Sequence, residues 1–559
     1  MTLVKISQRP DHVPGTDSTV AASFLPTTMA EAIQRGWSAL DVVMVTGDAY
    51  VDHPAFGPVL IARLLASQGL RVAILAQPDW RSVTDFRRFG RPRLFFGVSA
   101  GNIDSMLNRL TAQKQGQKVD PYSPGGRPGL RPDRATLVYA NRCREAFADV
   151  PIVLGGMEAS QRRIAHYDYF SDAVRRPILV DAKADLLVFG RGERPILEIS
   201  ERLSRGESIE QLHNIRGTAR LISLEDATQL AHSDAPPVEL PSYEAVMGSD
   251  EPSRLRFADM SRLHHQHASP QHGMPLLQRV GSRAVYFNPP ALPLDRTQLD
   301  ALSQLPFSRR AHPSYHEPIA AYEEVKHTLQ LLRGCFGGCS FCSAPDHESC
   351  MLALYHSGSQ LLVAPEHVPP EVLRLLPRPG SLEVGRFASG LSCTQPSGEL
   401  TIVPSYISGQ PGATIHEMIE LALYLKARNL RPLSVDDFIP TPMSLATAMY
   451  HTGRDPLSND PSREVFTERS LRDKKLQRAL LLYWDRSQHD LIREALRKAH
   501  RTDLIGYGAG CLVPPAHAPR SPRELRVPHS RGPRTSVHSR PLTKPPRALP
   551  SSKPPQPTT

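Results

Sequence analysis

Leu331-Leu332-Arg333-Gly334-Cys335-Phe336-Gly337-Gly338-Cys339-Ser340-Phe341-Cys342 sets three cysteines in a Cys-x3-Cys-x2-Cys pattern on a glycine-rich loop. The residues just before it, 325–332, are apolar enough to predict a strand, which places the loop at a strand end. Thiolates are soft, anionic ligands, and this spacing suits a soft metal centre. Gly334, Gly337 and Gly338 let the backbone turn sharply and come close to a bound group. Three ligands rather than four leave one coordination position open to substrate or cofactor. The competing reading of the same residues is a closed zinc site of four thiolates, with Cys350 as the fourth. Zinc sites commonly use two Cys-x2-Cys pairs, and only one such pair is present here.

Outward from that loop, strand-like runs recur at 360–364, 400–407 and 434–439. Upstream they recur at 40–45, 71–76, 94–98, 151–154 and 186–189, each running into a loop of small residues. The upstream pattern predicts an α/β domain with a doubly wound parallel sheet. Asp48, Asp52, His53 and Glu158 fall in its carboxyl-edge loops, where open α/β folds bind ligands. Loop capping explains Asp48, Asp52 and His53 equally well. No Gly-x-Gly-x-x-Gly opens the first helix, so a dinucleotide site is not expected. The stretch 118–134 carries Pro, Gly and Arg without periodicity and is expected to lie over the sheet edge as a lid. The domain plan expected is 1–234 for this α/β domain, 235–324 for a Pro-rich connecting segment, 325–514 for the core with its closing helices, and 515–559 for a tail.

The three cysteines resemble the signature of radical S-adenosylmethionine (SAM) enzymes. Further stretches narrow the resemblance to the YgiQ-type radical SAM proteins of bacteria. They are Gly47-Asp48-Ala49-Tyr50-Val51-Asp52-His53-Pro54, Asn288-Pro289-Pro290-Ala291-Leu292-Pro293, Ile407-Ser408-Gly409-Gln410-Pro411-Gly412 and Ala448-Met449-Tyr450-His451-Thr452-Gly453. The resemblance implies that Cys335, Cys339 and Cys342 hold a 4Fe–4S cluster whose fourth iron takes SAM for 5′-deoxyadenosyl radical chemistry. It implies a partial (β/α) barrel after a cobalamin-binding-like domain, and an electron donor such as flavodoxin or ferredoxin. It puts Ser408, Gly409, Pro411 and Gly412 near SAM; an ordinary strand-to-helix turn is the other reading. Glu366 and His367, at a strand end, are candidates for substrate contact or for turn chemistry. Cobalamin is not expected. The usual Asp-x-His-x-x-Gly is unmet, since Asp52 and His53 are adjacent and Gly57 stands four places past His53.

The core reads as shortened. Between Cys342 and the strand beginning at Gln360 there is room for one connection and no further strand–helix pair. Four strands then stand where the resemblance implies six, with part of the SAM cradle absent and an edge left open beside the cysteine loop. An internally deleted, impaired enzyme follows, or a cluster-binding chain without radical chemistry, or a cradle completed by another chain. The rival from another class is a non-catalytic zinc scaffold.

The totals constrain the setting. The 559 residues carry a net charge of +10. Nine Lys or Arg against Glu524 alone lie in 515–559, so the remainder is close to neutral. That tail is rich in Pro and Ser and poor in aliphatics, a composition that does not fold, and it is a weak candidate for contact with nucleic acid. Seven cysteines, three of them clustered, do not read as a disulfide framework. With no apolar run long enough for a membrane helix and no signal-like start, a cytoplasmic protein is expected.

Overall fold

The computed structural model describes residues 24–328, 339–342, 360–376, 401–432, 435–460 and 463–516. Its strands are β1 (Val42–Thr46), β2 (Val51–Asp52), β3 (Val72–Ala76), β4 (Phe95–Ser99), β5 (Ile152–Leu154), β6 (His166–Asp168), β7 (Ala173–Arg175) and β8 (Leu186–Val188). There follow β9 (Thr218–Ser223), β10 (Val238–Leu240), β11 (Leu276–Val280), β12 (Arg283–Phe287), β13 (Arg310–Ala311), β14 (Gln360–Glu366), β15 (Thr401–Ser408) and β16 (Val435–Asp437). The helices used below are α1 (Gly57–Ser67), α2 (Ala320–Val325), α3 (Ile415–Ala427), α4 (Leu445–Thr452), α5 (Leu471–Leu481) and α6 (His489–Lys498).

Nine strands form the main sheet in the order β10-β11-β12-β9-β8-β5-β4-β1-β3. From β8 to β3 every pairing is parallel. Strands buried on both faces need apolar side chains at every position, which is why Val-Val-Met-Val and Val-Ala-Ile-Leu read as continuous runs. Alternate residues serve opposite faces. Val43, Val45, Ala73 and Leu75 enter one core; Val42, Met44, Val72 and Ile74 enter the other.

The reading of 235–324 as a connection is corrected here. Within it β10, β11 and β12 extend the main sheet, β12 pairing antiparallel with β9 and with β11. The hairpin closes at Gly281, whose φ of +56° suits a tight turn. Farther on, β13 returns to pair with β2, setting Arg310 opposite Asp52. Asp52 is fully buried and accepts from Arg63 of α1 (2.8 and 2.5 Å) and from the backbone N–H of Ser308 (2.8 Å).

The strand expected over 325–332 is also corrected at its start. Val325 ends α2 and a turn follows, while residues 329–332 lie outside the described ones. Strands β14, β15 and β16 form a three-stranded parallel sheet, with an irregular register between Val363 and Glu366. Helix α3 starts with a reciprocal cap in which Thr414 and Glu417 satisfy each other's backbone N–H. It packs with α5 and α6 into a third core that includes Met418, Leu421, Leu480 and Leu496. All described residues up to Pro514 fall in one compact unit.

Removing the charge from Asp52 leaves the Arg63 guanidinium buried without its counter-ion. Asp52→Asn is expected to cost about 3–5 kcal/mol of stability, measured as a lower urea midpoint at unchanged slope.

Candidate functional site

The cysteine loop is described from Cys339 to Cys342, while Cys335 and Cys350 lie outside the described residues. Cys339 to Cys342 is a tight turn in which the Cys342 N–H donates to the Cys339 carbonyl (3.0 Å). Two further bonds fix the turn in place. The Ser340 carbonyl accepts from the Ala446 N–H of α4 (2.8 Å), and the Phe341 carbonyl accepts from the Thr441 hydroxyl (3.2 Å). Phe341 packs against both the first and the third cores, so the turn is wedged between the halves of the molecule. Both thiols are half-buried. Among the described residues no three His, Cys, Asp or Glu side chains converge as a metal set.

Thr441 follows β16 by four residues, and the same stretch reaches the Ser408–Gly412 loop. The Phe438 N–H donates to the Ser408 carbonyl (2.8 Å), and the Ser408 hydroxyl donates to Asp437 Oδ1 (2.7 Å). Asp437 is also held by Arg478 (3.1 Å) and by Gln113 Nε2 (2.9 Å) from the N-terminal half. Gly409 has a φ of +73° and Gly412 one of +87°, conformations that favour glycine. A side chain at Gly412 would also meet Leu375. Between them Gln410 is 0% exposed, and among the described residues neither its Oε1 nor its Nε2 has a hydrogen-bond partner. A wholly buried amide with both ends unmatched is rare in a folded interior and marks a place built to receive another polar group.

Around this loop the N-terminal half presents Tyr167 and Tyr169 from β6 and the residue after it. His451 stacks on Tyr167 with ring centroids 4.6 Å apart, and Tyr450 meets Tyr169 edge-on at 5.9 Å. Burial pushes His451 down to about 4. His367 is fully buried with Nε2 3.4 Å from Met418 Sδ, and burial pushes it down to about 3. This contact sets its ring against the third core, where burial favours the neutral imidazole. Glu366, beside it, has φ +66°, a conformation few side-chain-bearing residues adopt.

The acidic groups expected at the main sheet's carboxyl edge are engaged internally. Asp48 accepts from Arg131 (2.8 Å) and from the Asn102 N–H (2.7 Å); burial pushes its carboxyl up to about 6 against the pull of Arg131. Arg131 comes from 118–134, so that stretch is packed into the edge as a plug rather than poised above it. Glu158 accepts from the N–H groups of Ser105 and Thr136 (2.8 and 2.9 Å). His53 Nδ1 accepts from the Ala55 N–H (3.1 Å), a turn role. An open cleft lined by Trp37, Asp41, Arg71 and Arg93 lies at the opposite, amino-terminal ends of the strands.

Sequence reading singled out the loop but passed over Gln410, and it passed over Lys474 and Gln477 of α5 entirely. Lys474 and Gln477 stand seven and four places before Leu481, on the buried stripe of their helix only if the stripe is extended one turn towards its start. A lysine among alternating charges reads as solvated, which concealed it.

The comparisons now bear on the site. Residues 24–328 match the family model described as Radical SAM N-terminal, and 434–543 match a domain of unknown function, DUF3362. A UPF0313 protein of Geobacter sulfurreducens is 39% identical, over 87% of this chain and 97% of its own length. The UPF0313 protein YgiQ of Escherichia coli is 35% identical, over 88% of each chain. The Geobacter alignment spans 604 positions, whereas 87% of 559 residues is about 486. About 118 of those positions therefore face no residue of this chain. Two structures of the radical S-adenosylmethionine methyltransferase TsrM from Kitasatospora setae align at 14% identity with TM-scores of 0.38 and 0.41, covering 72% and 76% of this chain and 75% and 82% of theirs. One holds cobalamin and a 4Fe–4S cluster. The expectation against cobalamin gains no support from these comparisons.

His367 supplies a pH test. Its imidazole takes a proton near 6.5 in the unfolded chain and only near 3 when buried. Its contribution is therefore present above pH 6.5 and is lost as pH falls, by about 1.4 kcal/mol per unit. Between pH 7 and 5, His367→Leu is expected to lose about 2 kcal/mol less unfolding free energy than the parent chain, read by urea titration at the two pH values.

Proposed function

For a chain that belongs to the UPF0313 family and carries a Radical SAM N-terminal domain, we propose a radical SAM function built on one iron–sulfur cluster. Cys335, Cys339 and Cys342 are its ligands. The observation that carries this reading is the seating of the Cys339–Cys342 turn. The stretch running from the end of β16 into α4 bonds that turn on one side and Ser408 on the other, at the carboxyl ends of parallel strands. Loops in that position hold the sites of β/α barrels.

The residues present fit the groups the family implies. The donors are thiols, the ligand type that holds iron–sulfur clusters. Gln410, buried with both amide ends unmatched, suits a polar cofactor at Ser408, Gly409, Pro411 and Gly412. When bound, the cluster supplies the electron that cleaves SAM to a 5′-deoxyadenosyl radical. The chain's own part is placement. Phe341 closes the turn against two cores, and Asp437 fixes Ser408 through its hydroxyl. A flavodoxin or ferredoxin delivers the electron, in a reducing, cytoplasmic setting.

One observation favours a second reading. Relatives carry more than a hundred aligned positions that this chain lacks, and three parallel core strands are described here. A chain with cluster ligands and an incomplete SAM cradle holds a cluster without radical chemistry.

Electron paramagnetic resonance of anaerobically reconstituted, reduced protein separates the readings. The expected result is a cluster signal that changes when SAM is added. It disappears in Cys335→Ala, Cys339→Ala and Cys342→Ala and persists in Cys350→Ala. A signal indifferent to SAM supports the second reading. Stoichiometric zinc, lost in Cys350→Ala, overturns both.

A further inference from the structure

Helix α5 lays Lys474 and Gln477, three positions apart on one face, over the Ser408–Gly412 loop. A Cβ on Gly409 would stand 3.8 Å from Lys474 Cγ and 4.0 Å from Gln477 Oε1. Lys474 is 3% exposed and Gln477 1%. The Lys474 ammonium rests on the faces of Tyr169 and Tyr450, 5.1 and 5.0 Å from their ring centroids, and donates a long hydrogen bond to the Tyr169 hydroxyl (3.4 Å).

Among the described residues no carboxylate stands within ion-pair distance of that ammonium. The acids whose charge it feels are Glu468 and Asp437, and Asp437 is committed to Arg478, Ser408 and Gln113. Aromatic faces stabilise a desolvated cation by less than its burial costs. Buried charges are paired, and this one lacks its anion. The amides beside it point the same way. Gln477 Nε2 donates to the Ala413 carbonyl (3.0 Å), leaving Oε1 unmatched. Gln410 has a donor and an acceptor unmatched in the same loop.

We propose that Lys474, Gln477 and Gln410 form a binding site for the oxyanion group, a carboxylate or a phosphate, of a small-molecule ligand at the Ser408–Gly412 loop. Lys474 supplies the charge and Gln410 Nε2 a hydrogen bond to the oxyanion. Gln477 Oε1 accepts from an N–H or O–H on the same ligand. The site gives a ligand-binding role to 434–543, the stretch that matches a domain of unknown function. It rests on the reading of the loop as part of the reaction site and adds the ligand's chemistry to it.

The test uses the full chain and the variants Lys474→Met and Gln410→Leu. Gln410→Leu removes a buried, unmatched amide, so it keeps its fold even where Lys474→Met does not. Calorimetric titration compares SAM with 5′-methylthioadenosine, which lacks the amino-acid end, and thermal unfolding is followed with and without inorganic phosphate. If the oxyanion is the SAM carboxylate, both variants lose at least tenfold in SAM affinity while Lys474→Met keeps that for 5′-methylthioadenosine. If it belongs to another ligand, phosphate raises the unfolding midpoint of the parent chain and not of the variants. Folded variants that match the parent in both measurements overturn the proposal and leave Lys474 a packing residue between two tyrosines. The phosphate arm needs no cluster. A chain that takes up no cluster yet is stabilised by phosphate through Lys474 fails the earlier reading and keeps this one.

Discussion

The stretch from Asp437 to Ala446 holds the candidate site together through two backbone N–H groups and one hydroxyl, all donating to main-chain carbonyls. Phe438 bonds the Ser408 carbonyl, Thr441 bonds the Phe341 carbonyl, and Ala446 bonds the Ser340 carbonyl. Hydrogen bonds to main-chain groups fix position whatever the side chains at those places are, because every residue but proline offers the same donor and acceptor. The cysteine turn and the glycine-bearing loop thus share one support, although Cys339 and Gly409 lie far apart in the chain. Displacing that support would move both together.

Much of the N-terminal fold was legible because a sheet buried on both faces leaves a plain record. Runs such as Val42-Val43-Met44-Val45 have apolar side chains throughout, and the small-residue loops after them mark the carboxyl edge. The hairpin of β11 and β12 was equally present in the sequence, as two short runs separated by the two-residue turn Gly281-Ser282. Prolines at 289, 290 and 293 drew the segment towards a linker reading, yet they lie beyond the end of β12, where no ladder bond is required of them. At Val325 the error ran the other way. Apolar content suggested a strand from Val325 onward, whereas Val325 is the last residue of the helix Ala320–Val325, and composition alone does not fix where such a short run begins.

The candidate site was half legible. Cysteine spacing and positive-φ glycines are chemical and conformational signals that survive without tertiary information. The fate of Asp48, Asp52 and Glu158 was not readable, because each meets its partner only in the folded chain: Arg131, Arg63 with Ser308, and Ser105 with Thr136. Lys474 was hidden for the same reason. Its burial is set by Tyr169 and Tyr450, which reach it from two other elements.

The pairing of β13 with β2 has a consequence for synthesis. Asp52 meets Arg63 early, but its remaining bond comes from Ser308, 256 residues later. At about 5–20 residues per second, the ribosome takes roughly 10–50 s to deliver it. Throughout that interval β2 has no strand partner. Chaperones that shield exposed strands therefore have a long opportunity at Val51–Asp52, which closes shortly before the cysteine loop emerges.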